Sequence, residues 1–185
     1  MLLRHRAPGI ETRTTTPATS FRHLDQSSLA VLRWLVENRV DFVLVGPVAR
    51  AIRGDSQARG PVSLVPAPYG RNLDRLAHAL WSAHARLRVE AGEWVADAET
   101  VPVKLTAEKL VTARFWTLRC GLYDLDIEGR PDGVPRYQEL LYEAARFELA
   151  PELSIEVASP EDIEHYEHVR KTGVSPEIKI TRATD

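Results

Sequence analysis

The sequence predicts an α/β fold of the α+β kind, a mixed β-sheet flanked by helices, and three observations predict it. Apolar residues recur at helical spacing over 25–39 and 72–85. Short apolar runs bounded by glycine or proline, at 41–46 and 62–65, read as strands, the first of them buried on both faces. Strict alternation in YDLDIE, 123–128, reads as a strand with one acidic face. Helix and strand signals that interleave along one chain favour this class over an all-helical or all-β fold.

The elements follow in order. Over 25–39, Leu29, Leu32, Leu35 and Val36 form one helical face and Asp25 is suited to cap the first turn. DFVLVG is then a buried strand stopped by Gly46, and 48–53 is a short helix closed by Gly54. VSLV, between Pro61 and Pro66, is the next strand, because a proline at a strand's first position sacrifices only one donor. A helix over 72–85 places Leu73, Leu76, Leu80 and the Trp81 ring on one side, with Asn72 as its N-cap. Residues 86–106 carry no clear period and are left unassigned. Strands over 111–119 and 122–128 meet in a tight hairpin at Cys120 and Gly121. A Pro and Gly turn at 130–133 leads into a helix reaching about Phe147, with Leu140, Leu141 and Ala144 inward, and 153–157 is a last strand. Ser159, Pro160 and Asp162 form a helix-start signature for a final helix over 160–171.

Length and composition bound the rest. A chain of 185 residues with 44% hydrophobic content suits one domain, predicted over 23–172, with a basic, disordered N-terminal tail over 1–22 and a C-terminal tail over 173–185. The formal net charge of −2 gives no overall basic field, so any RNA contact would be local. Cys120 is the single cysteine, which fits a reducing cytoplasm, and no apolar run reaches the roughly 18 to 20 residues needed to span a bilayer.

Four strings, DFVLVGPVARAIRGD (41–55), VSLVPAP (62–68), YDLDIEGRPDGVPRYQELL (123–141) and VASPEDIEHY (157–166), occur in an order that resembles the minimal and abortive-infection-type nucleotidyltransferases of the DNA polymerase beta superfamily. The resemblance covers most of 24–171. It implies transfer of a nucleotide from an NTP, with Mg²⁺ ions held by an Asp-x-Asp pair on one strand and a third aspartate on a neighbouring strand. Aligned here, the pair falls on Pro61 and Ser63, neither of which supplies a carboxylate, and the third aspartate falls on Asp126. The glycine turn that would hold triphosphate has become Gly46-Pro47, which keeps one glycine and loses a backbone donor. The lysine that related families place in the closing helix falls near Glu167, and a shift of two residues would bring in Arg170 or Lys171.

The candidate site is thus Asp126 as the retained catalytic acid, Asp124 with Asp126 as an improvised metal pair, and Gly46, Arg50 and Ser63 toward a nucleotide. Arg50 and Arg53, one helical turn apart, would face a phosphate at the Gly46 turn or else solvent. Asp124, Asp126 and Glu128 also fit a half-exposed strand with no function. His165 and His168 have a zinc-compatible spacing without a third ligand and read as exposed; His78 and His84 do not share a face; Trp34 and Trp81 read as core. The leading expectation is an impaired nucleotidyltransferase-fold pseudoenzyme that binds a nucleotide, an RNA or a protein partner, with Mg²⁺ binding weak or absent. Two others stand beside it: an active Mg-dependent enzyme of a toxin-antitoxin system modifying tRNA or a partner protein, and a pure protein-interaction module.

Overall fold

The computed structural model describes Phe21, 23–88, 100–129 and 133–172. Helix α1 (Gln26–Glu37) starts where Asp25 Oδ1 accepts the Ser28 N–H at 2.6 Å, and it buries Leu32 and Leu35 completely. Arg39, in a left-handed conformation, closes the helix and turns the chain into β1 (Phe42–Val45), all four residues of which are buried. Helix α2 (Gly46–Ile52) follows directly, then β2 (Val62–Pro66), buried throughout.

Helix α3 (Gly70–Ser82) begins two residues earlier than its predicted start, with Tyr69 at the cap position. Asn72, expected as the cap, is instead buried to 1% exposure inside the first turn. Its amide accepts the Asp41 N–H (2.7 Å) and donates to the Asp41 and Ala67 carbonyls (both 2.9 Å), tying α3 to the start of β1 and the end of β2. Trp81, expected in the core, is 67% exposed, because Asn72, Leu73, Leu76, Ala79 and Leu80 already fill the inward stripe.

The stretch left unassigned contains β3 (Arg86–Arg88) and β4 (Thr100–Pro102), short strands whose pairing partners are remote in sequence. The predicted strand over 111–119 starts too early: its first two residues end α4 (Ala107–Thr112), which is capped by the Thr106 hydroxyl, and β5 begins only at Phe115 (Phe115–Cys120). There the capping signal outweighs the β preference of Val111 and Thr112. Gly121 and Leu122 make the hairpin turn into β6 (Tyr123–Glu128).

Helix α5 (Tyr137–Glu143) stops short of Phe147, and residues 145–150 form β7 (Ala145–Ala150), paired antiparallel with β8 (Leu153–Val157). Ala, Arg, Glu and Leu are good helix formers, but the Pro151-Glu152 turn and cross-strand pairing override that preference. Helix α6 (Pro160–Thr172) begins as predicted, with Ser159 Oγ accepting the Asp162 N–H at 3.1 Å.

The fold is the predicted α+β class: one mixed sheet in the order β4-β3-β5-β6-β2-β1-β8-β7, with helices packed against it. β6 sits near its centre, parallel to β2 and antiparallel to β5. The core extends to Phe21, which meets Phe147 edge-on with ring centres 6.0 Å apart, two residues before the predicted domain start. No helix among the described residues is long and apolar enough to cross a membrane.

Because the buried Asn72 side chain satisfies three backbone groups at once, Asn72→Ala should lower unfolding free energy by about 3 kcal/mol in urea titration, with an unchanged m-value.

Candidate functional site

Alternation along β6 turns fully buried Leu125 and Ile127 to one face and Asp124, Asp126 and Glu128 to the other. The acidic face is not the half-exposed one that alternation suggested. Asp126 is 3% exposed and Glu128 4%. An ionised carboxylate taken out of water needs a counter-charge and hydrogen bonds, and here three arginines supply them.

Arg88 on β3 reaches Asp124 Oδ2 (3.2 Å) and Asp126 Oδ1. Arg119 on β5 donates to Asp124 Oδ1 at 2.9 Å. Arg170 on α6 donates to Asp126 Oδ2 (2.8 Å) and Glu128 Oε1 (2.7 Å), with its guanidinium 5.2 Å from the Phe115 ring centre. Both Asp126 oxygens are therefore held by guanidinium groups, and three acids stand against three arginines.

On the neighbouring strand Ser63 lies directly beside Asp126 in register and is 2% exposed. Gly46, at φ +69°, packs its backbone onto Ser63: a Cβ there would lie 2.8 Å from Ser63 Oγ. The next contact closes the same turn, since a Cβ on Gly60 would meet Pro47 Cγ at 2.7 Å. Pro61 precedes β2 and offers no polar side-chain atom.

Arg50 and Arg53 face neither solvent alone nor the Gly46 turn. Arg50 bridges Asp55 (3.1 Å) and Glu167 (3.0 Å), so the glutamate at the expected lysine position anchors α6 to α2. Arg53 donates to the Val157 and Ala158 carbonyls, both at 3.0 Å, and covers the Phe147 ring. Arg170, three residues beyond Glu167, is the α6 cation that reaches β6.

His78 stacks on Trp81, Trp34 packs partly buried against the core, and Trp94 lies outside the described residues. Among the described residues no three His, Cys, Asp or Glu side chains converge as metal ligands, His165 and His168 included. The donors that the resemblance assigns to Mg²⁺ do not fit that ion: Asp124 and Asp126 are engaged by arginine, and the flanking strand offers Ser63. No transfer step is derived through a metal.

Sequence reasoning missed Arg88 and Arg119. The signal was present as RLR, 86–88, whose alternation complements DLD, 124–126, but only the pairing of β3 and β6 with β5 brings the two together.

Burial holds the Asp126 carboxyl above its ordinary value against the pull of Arg170 and Arg88. Burial likewise pushes Glu128 up to about 7; the Asp126 charge adds to the rise and Arg170 opposes it. Burial also raises the Cys120 thiol to about 11, which keeps it protonated and unreactive at neutral pH.

The folded protein thus holds a proton on Glu128 more tightly than the unfolded chain, where the group titrates near 4.5. Its contribution to stability is fully present below about 4.5, declines as pH rises toward about 7 and is gone above it. Glu128→Gln, which keeps the shape without the charge, should melt above wild type at pH 8, with the gap closing toward pH 5. A gap independent of pH would contradict this assignment. Arg170→Ala, which leaves two buried carboxylates short of a partner, should cost about 3 kcal/mol at pH 8 by denaturant titration.

No protein-family model matches the chain, and no curated protein matches it.

Proposed function

We propose that this chain is a nucleotidyltransferase-like pseudoenzyme, in which the metal and phosphate site has become a structural ion cluster and the domain acts by binding a protein partner. The observation that carries this reading is the state of Asp126: both its oxygens are engaged by Arg88 and Arg170, while Ser63, not a carboxylate, stands beside it.

Several features support the reading. The two strands assigned to the metal ligands, β2 and β6, are neighbours, with Ser63 beside Asp126 in register. Hard divalent cations need several free carboxylate oxygens, and guanidinium groups already occupy both oxygens of Asp124 and of Asp126. At the turn assigned to triphosphate, the Gly46 backbone packs closely on Ser63 and the Gly60 backbone on Pro47. Arg50, the cation nearest that turn in sequence, is spent on Asp55 and Glu167. A protein partner is favoured over RNA because the net charge is −2 and the arginines of the central cluster are matched by acids.

Incubating the protein with α-labelled NTPs, Mg²⁺ or Mn²⁺ and cell extract tests the loss of transfer. The expected result is labelling no greater than that given by Asp126→Ala, with no shift in melting temperature on adding NTP and metal. A labelled acceptor that disappears with Asp126→Ala would overturn the reading in favour of an active, toxin-type transferase.

A further inference from the structure

Strand β7 ends the sheet, and among the described residues it is paired on one side only, to β8. An edge strand presents a row of backbone donors and acceptors ready for another strand, and its side chains decide which strand fits. We propose that the β7 edge is a self-association surface, and that its occupant is the β7 strand of a second copy of this chain, added antiparallel about a twofold axis through Phe147.

The argument rests on charge complementarity along Ala145–Ala150. Arg146 and Glu148 are exposed and project from the same face, with Phe147 between them on the other. A twofold antiparallel pair centred on Phe147 sets Arg146 of each copy opposite Glu148 of the other, giving two opposite-charge pairs at once. Centring on Arg146 or on Glu148 would face like charges, so this register is selected over its neighbours. The Glu148 side chain has no hydrogen bond or ion pair among the described residues, whereas Arg146 already holds Glu156 at 2.7 Å and is oriented by it. The second copy would supply Glu148 with the cation it lacks.

The other face suits the same pairing. Phe147 is held in place by the Phe21 ring and by Arg53 at 5.2 Å, so the centre of the edge is rigid. The register irregularity between Glu148 and Ala150 bends the strand beyond that point and confines regular pairing to its first four residues. The axis through Phe147 falls inside that straight portion. Association of this kind joins two eight-stranded sheets edge to edge and leaves the ion cluster on β6, four strands away, untouched. It is independent of whether the domain descends from a transferase.

Sedimentation velocity on the full chain over a concentration series tests the proposal. The expected result is a concentration-dependent rise toward twice the monomer mass that weakens with added salt. Glu148→Arg alone and Arg146→Glu alone should each stay monomeric, since each faces like charges across the axis. An equimolar mixture of the two variants should regain the doubled mass, because every cross-strand pair is again opposite in sign. Circular dichroism and melting curves identify a variant that has failed to fold, and Glu148→Arg, which leaves Arg146 on Glu156, then carries the single-variant arm. A wild type that remains monomeric throughout, or variants that dimerise as well as wild type, would overturn the proposal.

Discussion

The fold turns on the cost of burying the acidic face of β6. Removing an ionised carboxylate from water costs several kcal/mol per group, and three carboxylates on alternate residues of one strand also repel one another. Asp124, Asp126 and Glu128 are held in the sheet by cations from three other elements: Arg88 on β3, Arg119 on β5 and Arg170 on α6. β3 lies on one side of β6 in the sheet order, while α6 follows β8, which lies on the other. The ion cluster is therefore where the two halves of the sheet are made to agree. If β3 slipped by one residue, Arg88 would turn to the opposite face; if α6 rotated, Glu128 would lose its cation.

A guanidinium is a different counter-ion from a divalent metal. Its charge is spread over a plane, and its N–H groups donate in fixed directions, so Arg170 spans acids two residues apart while its flat face lies over Phe115. A metal between carboxylates can still offer open coordination positions to a phosphate oxygen or a water. A guanidinium cannot act as such a Lewis acid. The cluster thus gives orientation and register, for which buried ion pairs are well suited, more than net stability.

Local chemistry in the sequence identified much of this. Asp25 and Ser159 act as caps, β1 and β2 are buried runs, and the β6 alternation is the one the letters spell. Several of the losses came where long-range pairing decided the outcome. β7 is composed of good helix formers, and only its pairing with β8 makes it a strand. β3 is three residues long, too short for a period to register, yet it carries the arginine that contacts both Asp124 and Asp126. Trp81 shows the limit of assigning size to the core: with Leu73, Leu76 and Leu80 filling the inward face of α3, nothing draws the ring in. The site was half legible, since its acids stand on one strand and can be counted, while the arginines that neutralise them come from three separate places.

On the proposed reading, the departure from transfer chemistry is recorded in packing as well as in residue identity. Had only the pair of carboxylates been replaced, the space they and their metals require would remain as a cavity over β2. Instead the Gly46 turn rests on Ser63, closely enough that even one added carbon on Gly46 would meet the serine oxygen at 2.8 Å. A carboxylate at 63 is larger than the hydroxyl now there, so restoring it would push the turn away, and with it Pro47 from Gly60. On the same face of the sheet, Arg88 and Arg170 close over Asp126 on the neighbouring strand. Reversal would need the turn to open and Arg88 and Arg170 to leave, and each arginine that left would expose a buried charge unless a metal entered at the same moment. On that reading, the close packing of the turn and the large cations over the strand each stand against a return to metal chemistry.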